Sequence, residues 1–304
     1  MRALITGATG LIGARLVRAL GGARVLVRSP DAARRRLGPG VEALPWDTGR
    51  EVPAGALDGV DAVFHLAGEP VAEGRWTDRR KARILESRVE GTRAVVAAIR
   101  AADRRPTVLV NASAVGVYGS RGDELLDESS AAGDGFLADV CRLWEREAMA
   151  AADLGVRVVT ARISVVLATD GGALGKMLPI FRAGLGGPIG CGAQWMPWAH
   201  VDDVVGLLLH AAATPAITGP LDVCAPDPVR QRDFARALAR AVHRPGFLPT
   251  PALALRVAFG EMSSVLLGSQ RAIPRIARET GYRFQHPDLD EALADLVDRP
   301  PASH

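Results

Sequence analysis

Short apolar runs alternate along the first half of this chain with longer stretches whose apolar positions recur every three to four residues. Residues 2–6 (Arg-Ala-Leu-Ile-Thr), 24–28, 61–66, 107–111 and 156–161 have the length and β-branched character of buried strands. Between them, Leu11 to Leu20 places Leu11, Ile12, Leu16, Val17 and Leu20 on one helical face. A long helix is predicted from Asp78 to Ala102 with Thr77 as its N-cap, and another over 135–154. Apolar strands alternating with helices predict a parallel sheet covered on both faces. Beyond residue 165 the texture changes. Residues 171–192 are glycine-rich and read as loop, helix and loop; a helix is predicted over 201–213. Residues 230–297 read as mostly helical, broken at Pro245, Pro249, Pro251, Pro274 and Pro287. The tail 299–304 is expected to fray.

The fold class is therefore α/β: a doubly wound parallel sheet with a smaller, mostly helical C-terminal region. We expect residues 1–165 to form a nucleotide-binding domain, with any remaining strands supplied by 166–225, and 166–304 to form a substrate-binding region. With 304 residues the chain is long enough for one large core. No apolar run approaches the roughly 18 residues of a membrane span, and the first residues enter a strand directly, so neither a membrane partner nor a signal peptide is expected. The net charge is +3. Lys81 and Lys176 are the only lysines, and the arginines are scattered, which argues against a nucleic-acid partner. Three separated cysteines, Cys141, Cys191 and Cys224, fit reduced thiols in a cytoplasmic protein rather than a disulfide framework. The expected partner is a small molecule, and the chain is expected to be a monomer or homodimer. The dispersed histidines and the Asp202-Asp203 pair at a helix start predict no metal site.

The strongest chemical signal is Thr6-Gly7-Ala8-Thr9-Gly10-Leu11-Ile12-Gly13, which follows a strand and opens a helix. Gly7 permits the tight turn, Gly10 lets backbone approach a pyrophosphate, and Gly13 lets helix pack on strand. The helix start then offers free N–H groups and a positive dipole end. The second strand ends Val27-Arg28-Ser29. A dinucleotide site that prefers NAD(H) usually has a carboxylate there; an arginine suits the 2′-phosphate of NADP(H), with Ser29 as a further donor. Arg28 as a solvated surface residue is the alternative.

The Gly-x-x-Gly-x-x-Gly spacing resembles the short-chain dehydrogenase/reductase superfamily. His65-Leu66-Ala67-Gly68, Gly91-Thr92, Asn111-Ala112-Ser113-Ala114-Val115-Gly116-Val117-Tyr118-Gly119 and His200-Val201-Asp202-Asp203-Val204 resemble its extended branch, which includes sugar-nucleotide epimerases and dehydratases. The resemblance covers about 1–225. Gly68-Glu69-Pro70-Val71, Arg75-Trp76-Thr77, Ser87-Arg88, Gly186-Gly187-Pro188, Gln194-Trp195-Met196 and Gly260-Glu261-Met262 look like one atypical epimerase-like subgroup. Its members end in a short domain of unknown function, about 250–297 here. The resemblance implies that Leu66, Ala67 and Gly68 line the cofactor and that Asp47 reaches the adenine.

The family's chemistry uses Tyr-x-x-x-Lys, and no such pair exists in this sequence. Glu145 matches a family glutamate eight residues past the tyrosine, which puts Leu137 at the tyrosine and Cys141 at the lysine; a one-residue slip puts Phe136 and Val140 there. Arg88 stands where the family has an asparagine. The remaining candidates for proton transfer or polarisation are Ser113, Tyr118, Arg88 and Cys141, with Lys81 equally open. Ser113 lies five residues before Tyr118 where the family usually has four, Tyr118 also reads as packed structure, and Cys141 as a small buried residue. Gln194, Trp195 and Trp198, following the glycine-rich loop 184–192, suggest an apolar substrate pocket; a core aromatic pair is the other reading. The expected function is an NADP(H)-dependent oxidoreductase on a small carbonyl substrate, against a nucleotide-binding sensor without turnover or a sugar epimerase or dehydratase.

Overall fold

A computed structural model describes residues 1–298; the expected frayed tail lies outside the described residues. Seven strands form one parallel sheet: β1 (Ala3–Thr6), β2 (Ala23–Val27), β3 (Val41–Pro45), β4 (Ala62–His65), β5 (Val108–Ala114), β6 (Arg157–Ile163) and β7 (Gly219–Val223). Their order across the sheet is β7-β6-β5-β4-β1-β2-β3. The strand order reverses between β1 and β4, which opens a crevice at their C-terminal ends. β7 comes from residues well past 165, so the sheet draws on the second half of the chain.

Alternate residues of each strand face opposite helical layers. Ile5, Val25, Phe64 and Val110 pack with Leu16 and Val17 of α1 (Leu11–Ala19) and with Val204 and Leu208 of α6 (Val201–Ala213). Leu4, Leu26, Val63 and Leu109 face the other way, onto Val95 and Ile99 of α3 (Asp78–Ala101) and Ala148 of α4 (Phe136–Met149). Thr77 caps α3, its hydroxyl accepting from the Arg80 N–H at 3.3 Å. α2 (Pro30–Leu37) links β2 to β3, and α5 (Gly172–Arg182) follows the sixth strand.

The C-terminal part carries α7 (Gln231–Ala241), α8 (Ala252–Phe259), α9 (Ser264–Leu267), α10 (Arg275–Glu279) and α11 (Leu289–Asp298). α7 and α11 close a separate core around Leu167, Leu178, Phe181 and Phe234. Trp198 belongs to that core. It is 1 % exposed, and its indole N–H donates to the Asp227 carbonyl at 3.2 Å. The expectation that Trp198 lines a substrate pocket is corrected: although it follows a glycine-rich loop, its strand, Trp198–His200, pairs with Val165–Leu167 and the ring packs into this core.

Among the described residues no helix is long and apolar enough to cross a membrane.

Candidate active site

The turn after β1 is built around contacts that leave no room for side chains. Gly7 has φ +68°, and a Cβ there would lie 2.8 Å from the Leu66 carbonyl. A Cβ on Gly13 would lie 2.3 Å from the Gly7 oxygen, so α1 can approach the turn only with glycine at that position. Gly10 is the N-cap of α1 and has no side chain to bond the first-turn N–H groups. Those donors have no acceptor within the helix. Thr6 locks the turn to the next strand: its hydroxyl oxygen accepts from the Leu66 and Ala67 N–H groups at 3.2 and 3.1 Å and lies 2.7 Å from His65 Nδ1. With those two donors on its oxygen, the Thr6 O–H points at the ring nitrogen, which leaves the His65 proton on Nε2.

A cavity of about 340 Å³ opens above this turn, at the crevice where the strand order reverses. Gly7, Thr9, Gly10, Arg28, Asp47, Leu66, Ala67 and Gly68 all line it. Leu11, Ile12 and Gly13 stand behind the turn, contributing the helix start rather than a wall. Ser29 is the exposed N-cap of α2 and lies outside the lining. Arg28 is exposed and has no carboxylate partner among the described residues. Trp46, Thr48, Glu69, Pro70 and Ser87 also line the cavity and were not foreseen as cofactor contacts. Glu69-Pro70 and Ser87 carried a signal in the subgroup pattern, but nothing in their residue types marked them as cleft walls.

The candidates for proton transfer sit deeper. Arg88 is 9 % exposed; its guanidinium donates to the Glu69 and Ile84 carbonyls at 3.0 Å and lies 4.9 Å from the Trp144 ring. Burial pulls its pKa down, and no carboxylate among the described residues bonds it. A Cβ on Gly68 would be 3.1 Å from the guanidinium carbon, so the cation lies directly beneath the cleft wall. Cys141 is buried, and burial together with the Glu145 charge pushes its thiol up to about 11. Ser113 donates to Glu145 at 2.6 Å, and Glu145 is held by two bonds from Arg162 at 2.9 Å. Burial pulls the Arg162 guanidinium down, but its bonds to Glu145 more than reverse this.

Tyr118 is fully buried. Its oxygen lies 2.9 Å from Asp222 and from the Asp127 carbonyl and accepts from Arg162 at 3.0 Å. Burial and the Asp222 carboxyl raise its pKa. The hydroxyl is thus enclosed away from the cleft, which corrects its candidacy as a proton donor. Asp222 itself is raised well above the carboxylate range by burial and by the neighbouring Glu128.

The C-terminal part reaches back to the start of α3. Arg75 donates to the Val257 and Ala258 carbonyls of α8, Lys81 pairs with Glu261, and Trp76 packs with Met262. Gln194 donates to the Ile189 and Leu266 carbonyls, which fixes the glycine-rich loop. Trp195 is half-buried between Arg230 and Arg271, with its N–H on Asp123 at 2.8 Å.

Two family models match this chain: the NAD-dependent epimerase/dehydratase family over residues 3–220, and a domain of unknown function, DUF1731, over 250–296. The chain belongs to the epimerase/dehydratase family. Its relatives extend over nearly the whole length. An Arabidopsis thaliana protein named as a chloroplastic homologue of epimerase family protein SDR39U1 is 40 % identical, covering 98 % of this chain and 87 % of that one. The Bacillus subtilis epimerase family protein YfhF is 37 % identical, covering 98 % of each. Human SDR39U1, solved with NADPH, superimposes with a TM-score of 0.88 at 33 % identity, covering 99 % of this chain and 100 % of that one.

The family's tyrosine and lysine have no equivalents. Leu137 is half-buried on α4, where it packs in an apolar cluster with Phe136, Trp76 and Met262, and Cys141 is enclosed one turn further on. At the family's serine spacing, four residues before Tyr118, stands Ala114. Ser113 points to the opposite face of β5 and is held by Glu145.

Proposed function

We propose that the protein binds NADP(H) in the cleft above the glycine turn and reduces or oxidises a small carbonyl-type compound without a tyrosine–lysine pair. The observation that carries this reading is Arg28: an arginine with no carboxylate partner stands at the end of β2, where a site for NAD(H) would hold a carboxylate. The cradle fits a dinucleotide on its own geometry. The first-turn N–H groups of α1 would hold the pyrophosphate, Arg28 the 2′-phosphate and Asp47 the adenine side. The bound cofactor supplies hydride chemistry.

Arg88 would act as a fixed cation beneath Gly68, oriented before any substrate arrives by its bonds to two carbonyls, and would favour negative charge developing on a substrate oxygen. Ser113 and Cys141 are the remaining proton-transfer candidates. The first hydroxyl already donates to Glu145, and the second thiol keeps its proton at neutral pH. Such a site suits a substrate that accepts hydride readily, such as an enone. Since its three cysteines are free thiols, we keep a cytoplasmic placement in this reading.

The half-buried Leu137 and the buried Cys141 at the tyrosine and lysine positions favour one second reading, a nucleotide-binding sensor that has lost turnover. Titration with NADPH and with NADH, followed by nicotinamide fluorescence, tests the binding. Micromolar NADPH affinity with much weaker NADH is expected. Hydride exchange between the holoprotein and a panel of carbonyls and enones then separates enzyme from sensor.

A further inference from the structure

Positive charge is unevenly placed in this fold. Residues 171–201 and 228–260 hold eight lysines and arginines and a single acid, Asp233, whereas the whole chain carries only +3. Arg232, Arg236 and Arg240 stand at four-residue intervals on the exposed face of α7, and Arg244 follows just beyond its end. Together with His243 and Phe247 they line an open groove of about 1160 Å³ whose lining contains no carboxylate. Arg236 and Arg240 have exposed partners, Asp233 and Asp290; such pairs bind weakly in water. Arg232 and Arg244 have no carboxylate partner among the described residues. The arginines look scattered in sequence and become a patch only through the helical repeat.

Apolar side chains protrude beside this groove. Phe247 and Leu253 are each 71 % exposed, Val257 64 % and Leu185 62 %. Backbone bonds join their segments into one surface: Leu248 N–H donates to the Gly186 carbonyl at 3.2 Å, and Thr250 N–H to the Pro188 carbonyl at 2.8 Å. Of the eight residues of α8, Leu255 alone is buried and Arg256 alone is charged. An apolar helix left in water marks an interaction surface.

We propose that this surface docks the protein on an anionic lipid bilayer. Its apolar groups project rather than form a recess, and fluid acyl chains receive projecting groups without the matching holes that a protein partner must provide. The arginines alongside supply attraction to anionic headgroups, and the two terms together give reversible binding at a membrane surface. The site shares no lining residue with the nucleotide cleft and does not depend on what that cleft binds.

The test is sedimentation of the full-length protein with vesicles of phosphatidylcholine alone and of phosphatidylcholine mixed with phosphatidylglycerol, at low and high salt. Binding is expected to the anionic vesicles only and to fall as salt rises. Arg236→Glu with Arg256→Glu should weaken it by about tenfold or more. Phe247→Ser with Leu253→Ser should do the same, and both double variants should keep the wild-type melting temperature because all four residues are exposed. Failure to sediment with anionic vesicles at low salt overturns the proposal. A solution dimer that Phe247→Ser/Leu253→Ser dissociates would assign the face to a second copy and overturn it. Tighter binding to a duplex oligonucleotide than to anionic vesicles would overturn it as well.

Discussion

At the scale of single residues, the cofactor preference rests on Arg28. A hydrogen bond to a charged group contributes about 1.5–3 kcal/mol, which corresponds to between ten- and a hundredfold in affinity. Arg28→Asp should therefore weaken NADPH binding by that factor while leaving NADH within a few-fold; equal losses for both nucleotides would remove Arg28 from the phosphate site. Arg88 is a different case. It is buried, and two carbonyls and the Trp144 ring hold its cation, so Arg88→Met tests charge rather than size. On the reading advanced above, the variant should bind NADPH normally and lose about two orders of magnitude in hydride transfer, in the range seen when a donor to a developing oxyanion is removed. Unchanged turnover would make Arg88 a structural brace. Cys141, with its thiol raised to about 11, should resist alkylation at neutral pH, whereas exposed Cys191 should react readily. Mass spectrometry after brief iodoacetamide treatment distinguishes them, and fast modification of Cys141 would show that the thiol reaches the cleft.

At the scale of elements, one side chain makes three bonds to the C-terminal segment. Asp203, buried at the start of α6, accepts from the Gln285 and His286 N–H groups at 2.8 and 2.9 Å, and its carboxylate lies 3.0 Å from the Tyr282 hydroxyl. Asp203→Ala would take the acceptor from three partly buried donors and should cost about 1 kcal/mol for each bond that water does not replace. Faster hydrogen exchange over 282–298 is expected, with little change in β1–β5; uniform protection would show that the core around α7 and α11 alone holds the segment. In the sequence, Asp202-Asp203 could be read only as a cap, because the residues it binds lie some eighty positions away. The glycine turn was legible because its geometry is local: the φ of Gly7 and the close approach at Gly13 are demanded within eight residues. The strands were legible from their apolar runs. The walls supplied by Trp46, Thr48 and Ser87 were not, because the first two follow β3 and the third stands on α3, and only the sheet brings these two crossovers together. Trp198 failed for the same reason, since whether an aromatic ring faces a pocket or a core depends on which strand it pairs with.

At the scale of the whole molecule, two buried groups contribute to the pH dependence of stability with opposite signs. Burial, reinforced by the Arg88 charge, lowers the His65 pKa to about 3 from the ordinary 6.5. Between those values the unfolded chain binds a proton that the folded chain refuses, so stability rises with pH by about 1.4 kcal/mol per unit. Asp222 acts with the opposite sign. Its carboxyl is raised well above the ordinary 3.8 by burial and by Glu128, so from that value up to its folded pKa the folded chain holds a proton that the unfolded chain has lost. Over that window its contribution falls as pH rises, with the same slope. The two slopes oppose each other from about pH 4 upward, over the range where the two windows overlap. Melting curves across pH should therefore show the two contributions offsetting each other where the windows overlap. His65→Gln removes the rising term, so relative to wild type its stability should gain steadily as pH falls from 6.5 toward 3. Asp222→Asn removes the falling term, so its stability relative to wild type should improve as pH rises above 4. If the difference between His65→Gln and wild type does not change with pH, His65 titrates alike in both states, and its burial against Thr6 and Arg88 does not govern the acid limb.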